Sequence, residues 1–137
     1  MPLVVDASVA LAWALPDESN TYADSALDAV ERDGLRVPEL WAREVANGLT
    51  VAYLRNRITF ADENAFLAAL SRLSIEIEAA SPLKIIREGT EAARRYGLTA
   101  YDAAYVDLAV REGLPLATLD RAMRKGAEQA GITVFRQ

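Results

Sequence analysis

The run Leu3-Val4-Val5-Asp6-Ala7-Ser8-Val9-Ala10-Leu11-Ala12-Trp13 indicates the fold of this chain, because it joins a short apolar strand to a helix through one acidic residue. Asp6 should lie at the carboxyl end of that strand, where open α/β sheets bind ligands. The alternative is that Asp6 only caps the helix, by accepting hydrogen bonds from its free backbone N–H groups. Ser8, two residues later, has the same two interpretations.

Short apolar runs alternate with helical stretches along the whole chain. The predicted strands are Leu3-Val4-Val5, Leu35-Arg36-Val37, Ile75-Glu76-Ile77, Leu116-Ala117-Thr118 and Thr133-Val134-Phe135. Helical periodicity covers residues about 7–15, 19–32, 39–55, 61–72, 83–95, 100–112 and 120–130. This alternation predicts an α/β fold, a three-layer α/β/α sandwich with a mostly parallel sheet of about five strands.

Length and composition favour a single domain over residues 1–137, since a chain of this size with 52% hydrophobic residues can bury a full core. The sequence contains no cysteine and no histidine, which excludes disulfides, thiolate nucleophiles, Ser-His-Asp triads and the usual zinc sites. Its formal net charge of −5 repels nucleic acid at long range unless bound cations invert the local potential. Any strong chemistry must come from carboxylates.

The beginning of the sequence shows no secretory pattern, because Leu3-Val4-Val5 leads directly to Asp6 without a basic region or a long apolar run. No apolar stretch is long enough to span a bilayer. We therefore expect a cytoplasmic protein with no membrane partner.

Asp120 repeats the arrangement of Asp6, since it follows the run Leu116-Ala117-Thr118-Leu119 and precedes a helix, and helix capping is again the alternative. If the two strands are neighbours in the sheet, both carboxylates face one crevice. The hydroxyls of Ser8 and Thr118 would then be close enough to support metal-bound water.

A third acid, Glu44, lies in the predicted helix over residues 39–55. A helical wheel places it at the edge of the apolar arc, and Gly48 one turn later leaves space beside the carboxylate. A glutamate at such an edge needs a cation or a hydrogen-bond partner. The alternative is an ordinary solvated glutamate.

The helix predicted over residues 100–112 holds two aspartates on opposite sides. Asp102 falls on the core-facing arc, whereas Asp107 falls beside its i,i+4 partner Arg111 and is predicted to form a surface salt bridge. Asp102 also has a structural alternative, because Thr99-Ala100-Tyr101-Asp102 resembles a capping box.

Asp6, Glu44, Asp102 and Asp120 thus occupy places that one α/β crevice can bring together. Like charges at contact distance repel and raise one another's pKa, so such a cluster needs a divalent cation. With neither nitrogen nor sulfur ligands available, the oxygen ligands favour Mg²⁺ or Mn²⁺ over zinc.

Three basic residues, Arg121, Arg124 and Lys125, follow the last carboxylate at helical spacing. They are placed to meet substrate phosphates beside such a site. The alternative is ordinary solvated surface charge.

Four short motifs carry a family resemblance: Val5-Asp6-Ala7-Ser8, Glu44-Val45-Ala46-Asn47, Tyr101-Asp102-Ala103-Ala104 and Thr118-Leu119-Asp120-Arg121. In their order, their spacing and the total chain length, they resemble PIN domains, specifically the VapC-type ribonuclease toxins of prokaryotic toxin–antitoxin pairs. The resemblance covers essentially the whole chain.

The resemblance implies that Asp6, Glu44, Asp102 and Asp120 bind metal, with Ser8 and Thr118 as supporting hydroxyls. It also implies Mg²⁺-dependent cleavage of RNA, homodimers, and a cognate antitoxin that occupies the active-site groove and forms a higher assembly with the toxin. The alternative is a non-catalytic PIN-like scaffold that binds RNA or protein. The carboxylates alone also do not distinguish a ribonuclease from a metal-dependent phosphatase or a DNA nuclease.

Overall fold

A computed structural model describes residues 1–136. The strands are β1 (Leu3–Val5), β2 (Leu35–Pro38), β3 (Ile75–Glu78) and β4 (Leu116–Ala117). The helices are α1 (Ala7–Ala14), α2 (Thr21–Asp33), α3 (Leu40–Leu54), α4 (Phe60–Leu70), α5 (Pro82–Tyr96), α6 (Ala100–Glu112) and α7 (Arg121–Gln129). Each predicted helix is present, with ends that differ from the prediction by no more than two residues, and a short 3₁₀ turn at Pro16–Glu18 precedes α2.

The sheet has the order β3-β2-β1-β4 and all three strand pairings are parallel. Helices flank it, which confirms the predicted α/β sandwich. The chain places β2 and β3 on one side of β1 and then returns to place β4 on the other. The crevice of such a sheet lies at the carboxyl ends of the strands where this order reverses, here β1 and β4.

The prediction of a fifth strand at Thr133-Val134-Phe135 was wrong. Val134 makes only an isolated parallel bridge to Leu116, so the sheet has four strands among residues 1–136. The Phe135 N–H still donates to the Leu116 carbonyl at 2.8 Å, and Val134 is buried. The segment therefore covers the edge of β4 without extending the ladder.

The centre of the sheet is fully apolar. Val4, Val5 and Val37 have no exposed side-chain surface, and Leu35 and Leu116 are almost completely buried. Burial on both faces explains why these strands have continuous apolar runs rather than alternating patterns.

Helices α1 and α3 approach each other closely at Gly48. A Cβ atom at this position would overlap the side chain of Leu11, so the space that the sequence suggested beside Glu44 is filled by leucine. This close approach brings α3, which carries Glu44, next to the turn that carries Asp6.

Within residues 1–136, none of the helices combines the length and the apolar character needed to cross a membrane.

Candidate functional site

Asp6 is a buried carboxylate that ends β1 and caps α1. Only 3% of its surface is exposed. Oδ1 accepts hydrogen bonds from the Ser8 hydroxyl at 2.6 Å and from the Val9 N–H at 3.1 Å, and Oδ2 accepts one from the Thr118 hydroxyl at 2.5 Å. Asp6 therefore does cap α1, yet one lone pair on its Oδ2 remains available to another partner.

Burial raises the pKa of Asp6 above its ordinary value. Hydrogen bonds from Ser8, Thr118 and Val9 oppose this effect, and the nearby carboxylate of Asp120 adds to it. The charged form of Asp6 is therefore destabilised by its surroundings in the metal-free protein.

Asp120 and Asp6 are joined through Thr118. Asp120 caps α7, because its Oδ1 accepts from the Met123 N–H at 2.8 Å. The fully buried Thr118 hydroxyl donates to Asp6 and accepts from the Asp120 N–H at 3.0 Å. The structure thus places the two strand-end acids beside each other, as predicted, with Thr118 and Ser8 holding Asp6 between them.

Glu44 is half-buried and bonded, which contradicts the alternative of a solvated glutamate. Its Oε1 accepts a hydrogen bond of 2.5 Å from the Tyr105 hydroxyl. Burial raises the pKa of Glu44, the Tyr105 bond partly offsets this, and the carboxylates of Asp102 and Asp6 raise the pKa further.

Asp102 lies partly buried on α6, and only half of the suggested capping box is present. Its backbone N–H donates to the Thr99 hydroxyl at 3.1 Å, whereas its carboxylate makes no return bond to Thr99 in the described structure. Burial and the carboxylate of Asp120 raise the pKa of Asp102. Its side chain is therefore available to a ligand.

Asp107, by contrast, pairs with Arg111 at 2.9 Å, as predicted.

The four predicted acids form one electrostatic cluster. Asp120 raises the pKa of Asp6 and of Asp102, and Asp6 and Asp102 both raise the pKa of Glu44. They come from four separate elements of the chain. The structure thus brings together all four carboxylates in one neighbourhood.

The donor set fits a hydrated hard cation. No three acidic side chains of residues 1–136 lie near enough to hold one ion among themselves as arranged here. Mg²⁺ does not need such a cage, since it usually keeps several waters and binds through one or two carboxylates. The cluster offers unbonded carboxylate oxygens on Asp102, on Oδ2 of Asp120 and on Oε2 of Glu44 for that purpose.

Two tyrosines that the sequence motifs do not assign to the site support it. The hydroxyl of Tyr22 accepts from the Thr118 N–H at 3.3 Å, and Tyr105 bonds Glu44. A buried tyrosine usually finds a polar partner for its hydroxyl. The position of Tyr105 on the core-facing arc, one turn after Asp102, was therefore the available signal.

The three basic residues of α7 differ in their surroundings. Arg124 is partly buried, donates to the Thr118 carbonyl at 3.1 Å and lies 5.5 Å over the Tyr22 ring, so it stabilises the end of β4. Arg121 and Lys125 are exposed. Only these two have side chains free to reach a ligand without breaking internal contacts.

Comparison with known proteins identifies relatives over nearly the full chain. The sequence pattern of the PIN domain matches residues 3–129. Ribonuclease VapC3 of Pyrobaculum aerophilum is 33% identical over 123 residues, which cover 90% of this chain and 92% of that protein. Ribonuclease VapC9 of Mycobacterium tuberculosis is 35% identical over 133 residues, which cover 96% of this chain and 97% of that protein.

Solved structures agree with the fold. The crystal structure of PAE2754 from Pyrobaculum aerophilum matches with a TM-score of 0.68 and 28% identity, covering 93% of this chain and 87% of that one. The crystal structure of FitAcB from Neisseria gonorrhoeae matches with a TM-score of 0.61 and 18% identity, covering 98% and 96%. The second likeness concerns the fold alone.

Proposed function

The chain belongs to the PIN-domain family, and from this membership and the carboxylate cluster we propose that it is a metal-dependent endoribonuclease, the toxin of a toxin–antitoxin pair. The observation that carries the proposal is the convergence of Asp6, Glu44, Asp102 and Asp120, four acids from four elements, on one neighbourhood. Such mutual repulsion is costly unless a cation is bound. The relatives named as ribonucleases support RNA as the substrate.

The acids have distinct roles in the proposed mechanism. Asp6, Asp102 and Asp120 would bind Mg²⁺ or Mn²⁺ directly or through its water ligands, and Glu44 would orient the attacking water or hold a second ion. Bound metal would supply a nucleophile at neutral pH and neutralise charge on the phosphoryl oxygens. Ser8 and Thr118 keep Asp6 fixed through their hydrogen bonds. Attack by water at phosphorus breaks the bond to the 3′ oxygen and leaves a 5′-phosphate and a 3′-hydroxyl.

RNA must approach this site against a net charge of −5. We propose that Arg121 and Lys125, exposed on the helix that begins beside Asp120, contact substrate phosphates. Arg124 serves the fold instead, because its guanidinium is bonded to the Thr118 carbonyl.

The test is cleavage of a mixed cellular RNA pool by the parent, Asp102→Asn and Asp107→Asn proteins, each with Mg²⁺, Mn²⁺ or EDTA. We expect metal-dependent fragments from the parent and from Asp107→Asn, but not from Asp102→Asn. Asp107 is the matched control, because it is the same residue type on the same helix but pairs with Arg111. A matched DNA strand should stay intact.

Intact RNA in every reaction of the folded parent would contradict the proposal and favour the non-catalytic scaffold. Cleavage of the DNA strand would instead indicate a general nuclease. Equal activity of Asp102→Asn and Asp107→Asn would remove Asp102 from the active site.

We also propose two protein partners, a second copy of the chain and a cognate antitoxin. Two sets of exposed apolar side chains support this proposal. The first set, Ile77, Leu83, Ile85 and Ile86, belongs to the edge strand β3 and to α5, the helix that follows it in the chain. The second set, Tyr53, Leu54, Phe60 and Leu67, belongs to α3 and α4. We assign the first to the homodimer and the second to the antitoxin.

Analytical ultracentrifugation of Ile86→Glu and Leu54→Glu proteins tests the dimer. Both residues are exposed, by 62% and 71%, so neither change should unfold the monomer. We expect Ile86→Glu to weaken dimerisation at least about tenfold, because it buries a charge in the interface, whereas Leu54→Glu should leave the dimer intact. Dimerisation lost only in Leu54→Glu would reverse the assignment.

A further inference from the structure

Tyr105 links three of the elements that carry the acidic cluster. It lies on α6, one turn after Asp102, and only 1% of its surface is exposed. Its hydroxyl donates a 2.5 Å hydrogen bond to Oε1 of Glu44 on α3. The backbone N–H of Ala7, next to Asp6, lies near enough to stabilise the same phenolic oxygen.

We propose that Tyr105 is a positioning residue of the active site, whose hydroxyl fixes Oε1 of Glu44 and leaves Oε2 to the acidic cluster. The inference rests on the proposed function, because it requires Glu44 to take part in metal binding. Tyr105 acts only through Glu44 and does not itself contact metal or RNA.

The hydroxyl is the decisive part of this side chain. Phenylalanine would fill nearly the same volume in the core, so packing alone does not explain a phenol there. Glu44 is only partly buried, and its flexible side chain would otherwise be free to turn toward solvent. One strong, buried donor removes that freedom and fixes the carboxylate before a ligand arrives.

A double-mutant cycle tests the inference with Tyr105→Phe, Glu44→Gln and the combined protein. The first measurement is Mn²⁺ affinity by calorimetry without RNA, and the second is kcat and KM for RNA cleavage. We expect Tyr105→Phe to lower Mn²⁺ affinity and kcat about tenfold each and to leave KM nearly unchanged. In the Glu44→Gln background the same change should have no further effect.

Tyr96→Phe is the control, since Tyr96 is a partly buried tyrosine at the end of α5 outside the acidic cluster. It should match the parent in both measurements.

If Tyr105→Phe does not fold, Glu44→Asp replaces it, because the shorter side chain withdraws the carboxylate from the hydroxyl. We expect the same loss of Mn²⁺ affinity from Glu44→Asp.

Three outcomes would overturn the inference: parent-like Mn²⁺ affinity in Tyr105→Phe, parent-like affinity in Glu44→Asp, or losses that are equal in the two backgrounds. Equal losses would show that the Tyr105 hydroxyl acts independently of Glu44. The proposed function can fail separately. A parent that binds Mn²⁺ but leaves RNA intact would refute the nuclease proposal, and the double-mutant cycle in Mn²⁺ affinity would still test the role of Tyr105. A parent without Mn²⁺ affinity refutes both.

Discussion

The Asp6→Asn protein should cleave RNA about a thousand-fold more slowly than the parent, because a metal site contributes several kcal/mol of charge stabilisation in the transition state. Asp6 is the most buried of the four acids, and its position is fixed by three hydrogen bonds. Asparagine keeps the size of the side chain but removes the negative charge that would hold the cation. The loss should appear in kcat, measured on a defined RNA with saturating Mg²⁺.

The same substitution should change the stability of the metal-free protein by no more than about 1 kcal/mol at pH 7. The amide oxygen of asparagine can still accept from Ser8 and Val9. Its NH₂ group would face the Thr118 hydroxyl, which then loses its acceptor. Removal of a buried charge that Asp120 repels offsets this loss.

The pH dependence of unfolding gives a second measurement on the same protein. Because the pKa of Asp6 is raised in the folded state, the folded protein binds the proton more tightly than the unfolded chain. The resulting stability is complete below the unfolded pKa of about 3.9 and is lost as the pH rises through the folded pKa. Metal-free parent should therefore lose stability over this range more steeply than Asp6→Asn.

Asp28→Asn provides the control, because Asp28 is exposed on α2 and has no part in the cluster. It should equal the parent in cleavage and in urea unfolding. A strongly destabilised Asp6→Asn protein would show that the main role of this residue is structural, as the charged acceptor of the hydrogen bonds from Ser8, Val9 and Thr118. Retained cleavage would remove Asp6 from the metal site.

Helix capping and ligand binding appear as competing explanations of Asp6 and Asp120 in the sequence. The structure shows why they are compatible. A carboxylate has about four lone-pair sites, and capping occupies one of them in each case, through Val9 or Met123. The turn from a strand into a helix therefore orients the carboxylate and still leaves oxygen for another partner.

The sequence predicted the β-α order and the turns at Asp6 and Asp120, because each depends on residues close in the chain, and the parallel sheet follows from the alternation of strands and helices. The pairing of Glu44 with Tyr105 spans 61 residues and that of Asp6 with Thr118 spans 112. Local periodicity indicates that such side chains face inward, but not which ones meet. The edge segment at Val134 was mistaken for a strand for the same reason, since its composition does not reveal how many ladder bonds it makes.

Thr118→Val should lower the free energy of unfolding by about 3 kcal/mol, because it removes a fully buried hydroxyl with two hydrogen bonds and keeps the side-chain shape. Oδ2 of Asp6 would lose its donor, and the Asp120 N–H would lose its acceptor. Urea unfolding of the metal-free protein measures this loss. The carboxylate of Asp6 would also be less well fixed, so we expect about a tenfold loss of Mn²⁺ affinity.

Thr118→Ser separates the hydroxyl from the methyl group. Serine keeps both hydrogen bonds and removes one buried methyl, so it should cost only about 1 kcal/mol and preserve Mn²⁺ affinity. A valine protein that is more stable than the serine protein would indicate that Thr118 contributes through packing alone. If valine reduces stability but leaves Mn²⁺ affinity at the parent value, the hydroxyl holds the two turns together without positioning Asp6 for metal.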